Sequence, residues 1–293
     1  MDRHELAWAA GFFDGEGWAG KSKRGIQARV NQADISGVPE VLTRLQRALG
    51  GLGNVGGPDV KPDRRPLYRW TVSSRSDVGL LLDLLKPWLG SVKLLQLSQA
   101  VNLSTPIAKP AMPSDEWRPW AAGLYDGEGS SSLLQHRTHV GYLTGELSVT
   151  QSALVGAPEV LSRFLVIVRA GHIGGPYIQR NTTMDVYRWK AAARGDVERV
   201  VAELWPWLGC VKRQQAQRML DVLRAQPDLP RGNPAWGNNK THCVKGHEYA
   251  TARIRPYSAR GVGKPRRDNQ QCLVCLRDYA RNQRQSKMIG GWS

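Results

Sequence analysis

Cysteine is scarce in this sequence, and its few copies are unevenly placed. There are four cysteines in 293 residues, and three of them follow residue 242. A small secreted protein stabilised by disulfides has many more cysteines, spread along the whole chain. A disulfide scaffold is therefore excluded, and the clustering of the cysteines favours a metal site.

Long hydrophobic runs are also missing. Stretches such as VGLLLDLL at 78–85 are much shorter than the roughly 20 residues that a membrane-spanning helix needs. The first residues, MDRHELAWAAG, include acids and lack the basic start and apolar middle of a secretory signal. We therefore expect a soluble cytoplasmic protein without a membrane partner, associated with the nucleoid if its host is a bacterium or a phage.

Acidic residues are few relative to basic ones. The 25 aspartates and glutamates stand against 41 lysines and arginines, which leaves a formal net charge of +16. The surplus is concentrated after residue 230, where thirteen basic residues accompany three acids. Such a charge favours polyanionic partners, of which nucleic acid is the commonest, although ribosomal and membrane-surface proteins are also basic.

The chain contains a long internal repeat. Four blocks recur in the same order: AAGFFDGEG at 9–17 and AAGLYDGEG at 121–129, VPEVLTRL at 38–45 and APEVLSRF at 157–164, LYRWTV at 67–72 and VYRWKA at 186–191, PWLGSVKLLQ at 87–96 and PWLGCVKRQQ at 206–215. The spacing is 112 residues for the first block and 119 for the other three. This period exceeds the roughly 20–50 residues of solenoid repeats, so it indicates two duplicated domain halves.

The duplication predicts a division of the chain into five parts. We expect a first half at 1–101, a proline-rich linker at 102–116, a second half at 117–225, a second linker at 226–241 and a basic module at 242–293. Within each half, the apolar patterns predict the order helix, two strands, helix, two strands, helix, with the last helix broken near Pro87 in the first copy. The predicted fold class is α+β, with two pseudo-twofold-related αββαββα halves and a small C-terminal domain.

The predicted strands have one polar face. IQARVNQ at 26–32 and its counterpart GELSVTQ at 145–151 alternate apolar and polar residues, as half-buried strands do. LYRWTV also alternates, with Tyr68 and Trp70 facing inward and Arg69 facing outward. The outward faces are therefore candidates for contact with a partner.

The glycine-rich acidic stretches end the first predicted helix of each copy. Small residues such as Gly11 and Gly123 leave a bare stripe on each helix, so the two helices can pack closely. Glu16 and Glu128 would then lie together at helix C-termini, where the helix dipole and their mutual repulsion disfavour negative charge. A divalent cation removes both penalties. A single DGEG stretch would indicate only a turn with solvated acids, whereas its duplication favours metal binding.

Both stretches resemble the LAGLIDADG motif of homing endonucleases, specifically the type with two motifs in one chain. The resemblance extends from residue 1 to the end of the second copy. It implies a monomer with internal pseudo-twofold symmetry that hydrolyses both strands of double-stranded DNA with divalent metal ions. Both copies depart from the motif, because alanine replaces its first leucine and glutamate its second aspartate. The glutamate keeps the charge on a longer side chain.

The resemblance also implies roles for individual residues. In that family the penultimate acid of each motif binds the catalytic metal, which implies Mg²⁺ held by Glu16 and Glu128. The family also has a glutamine at the end of a strand near the metals and a basic residue after the Pro-aromatic-Leu turn. The catalytic candidates are Glu16, Glu128, Lys93, Lys212, Gln32 and Gln151. Exposed polar residues at element ends are the alternative for the lysines and glutamines, but their recurrence in both copies favours the site.

The family places the outward strand faces against the major groove of DNA. The DNA-binding candidates on these faces are Gln27, Arg29, Arg69, Ser148 and Arg188. Arginine suits bidentate contact with guanine and glutamine with adenine, while either could equally contact phosphate or water. Glu146 also lies on an outward face, but phosphate would repel its negative charge. It could accept a hydrogen bond from a cytosine amino group or lie away from the DNA.

The basic C-terminal module has the spacing of a zinc site. Cys243, His247, Cys272 and Cys275 form C-x₃-H followed by C-x₂-C, which can supply four tetrahedral ligands for structural Zn²⁺. His242 is an alternative to His247, which we prefer because the run resembles zinc modules of the HNH and endonuclease VII type. The expected phosphate-contacting residues are Arg266, Arg267, Arg277, Arg281 and Arg284. No full catalytic set can be matched here, so a DNA-binding module is simpler than a second nuclease.

Three functional hypotheses follow. The first is a homing endonuclease of an intron or mobile element, built from two LAGLIDADG halves and a zinc-bearing extension. The second is a non-cleaving nucleic-acid-binding protein of the same fold, such as a maturase or a transcription regulator. The third makes the tail catalytic and the duplicated region a targeting device. Both glutamates and both lysines favour the first, since a pure binder does not need them.

Overall fold

The computed structural model describes most of the chain as two compact units, 1–226 and 227–293. The described residues are 1–22, 25–103, 114–135, 142–178, 184–226, 247, 254–257, 269–275, 277–278 and 281. Five of the residues singled out above lie outside these ranges: His242, Cys243, Arg266, Arg267 and Arg284. Within the described ranges, no helix combines the length and the apolar character that crossing a membrane requires.

The first copy of the repeat folds into four helices and four strands. They are α1 (Arg3–Glu16), β1 (Gly17–Ser22), β2 (Gly25–Ala33), α2 (Glu40–Ala48), β3 (Asn54–Asp59), β4 (Leu67–Val72), α3 (Arg75–Leu85) and α4 (Ser91–Ala100). Helix α1 begins after Asp2, whose carboxylate accepts the His4 amide and caps the helix. The predicted break near Pro87 is confirmed, because α3 ends at Leu85 and α4 restarts at Ser91.

The second copy repeats this order. After a short 3₁₀ helix (Ser114–Glu116) come α5 (Trp117–Glu128), β5 (Gly129–Gln135), β6 (Leu143–Ala153), α6 (Glu159–Val168), β7 (His172–Tyr177), β8 (Asp185–Ala191), α7 (Arg194–Leu204) and α8 (Cys210–Ala225). The 3₁₀ helix occupies the end of the predicted linker, and its Glu116 is buried. That carboxylate accepts the Trp88 indole N–H at 2.7 Å and the Arg3 guanidinium at 2.5 Å.

Each copy forms one four-stranded antiparallel sheet with the same strand order. The order is β1-β2-β4-β3 in the first copy and β5-β6-β8-β7 in the second. In β4, Tyr68 and Trp70 are buried while Arg69 is exposed, as the alternation predicts. In β8, Trp189 is buried and Arg188 is exposed. The predicted α+β class with two similar halves is confirmed.

Helices α1 and α5 pack against each other at their glycines, with their backbones in direct contact. A β-carbon placed on Gly11 would lie 1.9 Å from the carbonyl oxygen of Trp120. One placed on Gly123 would lie 2.0 Å from the carbonyl oxygen of Trp8. Since no side chain fits at either point, only glycine permits this approach. The close helix packing predicted from the glycine stripes is therefore present.

In the C-terminal unit, the described residues include one small antiparallel sheet. It consists of β9 (Ile254–Tyr257) and β10 (Asn269–Cys272), with Cys272 paired to Ile254. Cys272 ends strand β10, and its side chain is buried. A two-stranded sheet is marginally stable by itself in water. Additional stabilisation, such as a bound metal, is therefore physically reasonable for this unit.

Candidate active site between the two halves

The two motif glutamates lie next to each other at the ends of α1 and α5. Glu16 is the last residue of α1, and Glu128 is the last residue of α5. A β-carbon on Gly15 would lie 3.0 Å from Cγ of Glu128, and one on Gly127 would lie 3.1 Å from Cγ of Glu16. Each glutamate side chain thus crosses the glycine that precedes the other glutamate.

The environment of this pair disfavours two negative charges. Burial raises the pKa of Glu128 to about 7, and the neighbouring charge of Glu16 adds to the effect. Burial also raises the pKa of Glu16, which a hydrogen bond from Gln32 and the charges of Lys212 and Lys93 partly offset. Two carboxyl groups that share a site retain a proton or require a cation. Near neutral pH, the pair therefore suits a divalent cation with a preference for oxygen ligands.

The two predicted lysines flank the glutamates in equivalent positions. Lys93 donates a hydrogen bond to the carbonyl oxygen of Gly17, and Lys212 donates one to that of Gly129 at 2.6 Å. These glycines immediately follow the glutamates in the sequence. Burial lowers the pKa of both lysines, while the nearby carboxylates raise it. The structure therefore brings all six catalytic candidates together.

The six residues form two composite half-sites, each built from both copies of the repeat. Of the two lysines, Lys212 lowers the pKa of Glu16 more, and Lys93 lowers the pKa of Glu128 more. A cavity of about 690 Å³ is lined by Lys93, Glu128 and Gln151. The equivalent cavity, of about 110 Å³, is lined by Lys212 and Gln32. In each half-site the glutamate and the glutamine come from one copy and the lysine from the other.

The first acid of each motif, to which the sequence assigns no role of its own, is buried. Asp14 is 2% exposed, and both of its carboxylate oxygens accept the amide of Gly90 at 2.8 and 2.9 Å. Asp126 is 5% exposed and accepts the amide of Gly209 in the same way at 3.0 and 2.8 Å. Gly90 and Gly209 are the N-cap residues of α4 and α8. These aspartates therefore cap the helices that carry Lys93 and Lys212.

Each buried aspartate also receives an indole N–H from the opposite copy. Trp120 donates to Asp14 at 2.9 Å, and Trp8 donates to Asp126 at 2.8 Å. Burial raises the pKa of both aspartates to about 7, although these hydrogen bonds and a nearby arginine oppose the shift. Trp8 and Trp120 recur at the same position before the two motifs, and this recurrence is the sequence signal that could have revealed them.

The predicted DNA-contacting residues of the sheets differ in their surroundings. Arg69 and Arg188 are exposed and donate to Asn31 and Thr150 on the neighbouring strand. Gln27 and Ser148 are partly exposed. Arg29 is partly buried and stacks on Trp18, with its guanidinium carbon 4.5 Å from the ring centroid.

One further basic residue lies on the same sheet face. Lys190 is two residues beyond Arg188 on β8 and is paired with Ser148 on β6. Its side chain is partly exposed. Strict strand alternation places it on the side of Arg188, so the period-two pattern could have identified it.

Three of the four predicted zinc ligands converge in the C-terminal unit. Nδ1 of His247 lies 3.3 Å from Sγ of Cys275 and 3.7 Å from Sγ of Cys272. The ligand atoms of the three residues all lie within 4.8 Å of one another, and Cys272 is buried. Two thiolates and one imidazole fit a tetrahedral zinc centre that takes one more ligand. Arg277 and Arg281 are exposed in the same unit.

The chain has the fold of LAGLIDADG homing endonucleases. I-GzeII, solved with its DNA target, shares 14% identity with this chain. The alignment covers 75% of this chain and 89% of I-GzeII, with a TM-score of 0.53. I-SmaMI, bound to uncleavable DNA, shares 15% identity with this chain. The alignment covers 74% of this chain and 90% of I-SmaMI, with a TM-score of 0.53.

I-AabMI, bound to uncleaved DNA, shares 16% identity with this chain. The alignment covers 76% of this chain and 91% of I-AabMI, with a TM-score of 0.53. No protein-family profile and no curated protein sequence matches the chain. At these sequence identities the comparison establishes the fold alone. The activity of this chain has to follow from its own residues.

Proposed function

We propose that this protein is a site-specific double-strand DNA endonuclease of the homing type. The observation that carries the proposal is the adjacency of Glu16 and Glu128, half-buried and flanked by Lys93 and Lys212. Packing two carboxylates together at helix C-termini lowers stability unless a cation joins them. A binding protein without catalytic activity does not need such an arrangement.

The candidate residues divide the chemistry of phosphodiester hydrolysis among them. Glu16 and Glu128 would hold Mg²⁺, because their carboxylate oxygens are the hard ligands that this ion prefers. When bound there, such an ion would supply an activated water and would stabilise charge on the phosphate. Lys93 and Lys212 neutralise negative charge that develops during cleavage, and Gln32 and Gln151 orient solvent beside the carboxylates. Two composite half-sites allow one cut in each strand.

Double-stranded DNA is the proposed partner. The chain carries a net charge of +16, and Arg69 and Arg188 are exposed on equivalent strands of the two sheets. The structures of I-GzeII, I-SmaMI and I-AabMI described above contain DNA. Gln27, Arg29 and Ser148 extend this proposed surface of the sheets. The basic residues of the C-terminal unit are proposed to contact DNA as well. Phosphate contacts supply affinity, and contacts with base edges supply sequence preference.

The C-terminal unit is proposed to be a zinc-stabilised DNA-binding module. His247, Cys272 and Cys275 already converge, and Cys243 is the proposed fourth ligand. A structural zinc ion stabilises a small unit that buries little apolar surface. Arg277 and Arg281 would contact phosphates.

The test of this proposal is cleavage of a randomised duplex library in the presence of Mg²⁺, followed by sequencing of the cut ends. We expect the full-length chain to select one target and cut both of its strands. The double variant Glu16→Gln/Glu128→Gln should lose cleavage and keep DNA binding in a gel-shift assay. The control is Glu203→Gln, the same chemical change on α7.

Two outcomes contradict the proposal. Continued cutting by the double variant would show that the glutamates are not the metal-binding residues. A wild-type chain that binds one DNA sequence but cuts nothing with Mg²⁺ or Mn²⁺ would instead indicate a non-cleaving DNA-binding protein of the same fold.

A further inference from the structure

Two buried hydrogen bonds cross between the copies of the repeat beside the glutamate pair. The indole of Trp8 donates to Asp126 at 2.8 Å, and the indole of Trp120 donates to Asp14 at 2.9 Å. Both tryptophans are fully buried. A carboxylate is costly to bury unless hydrogen bonds compensate it, so these bonds maintain an arrangement that burial alone opposes.

Each crossed bond joins α1 to α5 directly and, through the aspartate, reaches the helix that carries the lysine of one composite half-site. Trp8 lies on α1, the helix that ends with Glu16. Its acceptor Asp126 holds the amide of Gly209, where α8 begins, and Lys212 follows three residues later. Trp8 thus connects the glutamate and the lysine of the same half-site through Asp126 and the start of α8.

The other half-site is connected in the same way. Trp120 lies on α5, the helix that ends with Glu128. Its acceptor Asp14 holds the amide of Gly90, where α4 begins, and this helix carries Lys93.

An arginine reinforces each connection. Arg44 stacks on Trp8, with its guanidinium carbon 4.0 Å from the ring centroid, and donates to the carbonyl oxygen of Trp207 at 2.7 Å. Trp207 belongs to the turn that precedes α8. Arg163 stacks on Trp120 at 4.6 Å and donates to the carbonyl oxygen of Trp88, which precedes α4. In each half-site, the indole therefore holds the start of the lysine-bearing helix through the aspartate, and the arginine holds the turn that precedes the same helix.

We infer that Trp8–Asp126 and Trp120–Asp14 are two separate positioning pairs, each of which aligns the glutamate and lysine of one half-site. The inference rests on the proposed nuclease function and adds how its two half-sites are aligned. Oδ2 of each aspartate accepts both the indole N–H and the amide of the N-cap glycine. Removing the indole N–H takes away one of these two donors from a buried carboxylate, which loosens the start of the lysine-bearing helix. A displacement of about 1 Å at a catalytic group can cost about 100-fold in rate.

The first test is strand-resolved cleavage of a target duplex labelled at both ends. Lys212→Met and Lys93→Met identify which strand depends on each half-site. We expect Trp8→Phe to slow cutting of the strand that Lys212→Met slows, by about tenfold or more, while the other strand changes by less than about twofold. Trp120→Phe should show the reverse pattern. The concentration dependence should place the loss in kcat, with KM unchanged.

Trp70→Phe and Trp189→Phe are the matched controls. Both tryptophans are fully buried and donate their indole N–H to a backbone carbonyl, of Leu52 and Ala170 respectively. Their replacement makes the same chemical change away from the aspartates and should affect both strands equally. Equal slowing of both strands by Trp8→Phe, or slowing of the strand assigned to Lys93, overturns the inference.

A second measurement tests the connection without cleavage. Hydrogen exchange of the full chain should show faster exchange at 209–213 in Trp8→Phe, with 90–94 unchanged, and the reverse in Trp120→Phe. If the wild-type chain does not cut DNA, the proposed function fails. The exchange pattern then still tests whether each tryptophan stabilises the start of the lysine-bearing helix. Equal exchange at both segments in both variants would overturn it.

Discussion

The glycines of the helix pair offer the most direct test of the fold. In Gly11→Ala the new methyl group would lie 1.9 Å from the Trp120 carbonyl oxygen, and in Gly123→Ala it would lie 2.0 Å from that of Trp8. The obstructing atoms belong to the helix backbone, so no side-chain rotation relieves the contact. Helices α1 and α5 must therefore separate locally by roughly 1 Å, which also moves Glu16 away from Glu128.

The expected loss of stability is large. Forcing an additional methyl group into a tightly packed interior usually costs about 1–3 kcal/mol, and occasionally more. Because the contact here is with backbone, we expect about 3 kcal/mol or more for each substitution. Domains of this kind have a total unfolding free energy of about 5–15 kcal/mol. Either variant should thus be strongly destabilised, and the double variant should be largely unfolded.

Urea denaturation of the full chain, followed by the near-ultraviolet circular dichroism of the buried tryptophans, measures this loss. The midpoint should fall by about 1–3 M for a loss of 3 kcal/mol. Gly79→Ala is the control, because a methyl group at this position on α3 would meet no atom within 4 Å. It should raise stability by about 0.5–1 kcal/mol. A Gly11→Ala variant as stable as the wild type would refute the backbone contact between α1 and α5.

Three further predictions follow from the sites. Because the pKa of Glu128 is about 7 without metal, Mg²⁺ binding at pH 7 should release about half a proton from Glu128 and should weaken as the pH falls below 7. Calorimetry in two buffers of different ionisation enthalpy measures this release. Cys272→Ser should lower the zinc content of the chain from about one equivalent, whereas Cys210→Ser should leave it unchanged, as read by atomic absorption. Arg69→Gln and Arg188→Gln should each reduce the slope of log Kd against log salt by about one if they contact phosphates.

Much of the fold could be predicted from the sequence because its signals are local. The period-two pattern of LYRWTV identifies the buried face of β4, and the small residues before Glu16 indicate a helix that another helix can approach closely. Duplication strengthens each of these signals, since a pattern that recurs in the same order is not accidental. The adjacency of Glu16 and Glu128 could be predicted for this reason.

The assignment of partners within the site could not be predicted in this way. Nothing in the local pattern indicates that Lys212 belongs with Glu16, or that Trp8 donates its indole N–H to Asp126. These pairings depend on how the two copies are rotated and shifted about their pseudo-twofold axis. Periodicity reports which face of an element is apolar, but it carries no information about which residues meet across an interface.

By itself, the sequence determined the number of halves, the order of their elements, the acids at the helix ends and the ligand spacing of the C-terminal module. Only the tertiary structure decided that each half-site draws its lysine from the opposite copy and that the first aspartate of each motif is a buried helix cap. Hydrophobic patterning specifies elements and faces, whereas contacts between distant residues arise when backbones meet at specific points, as at Gly11 and Gly123.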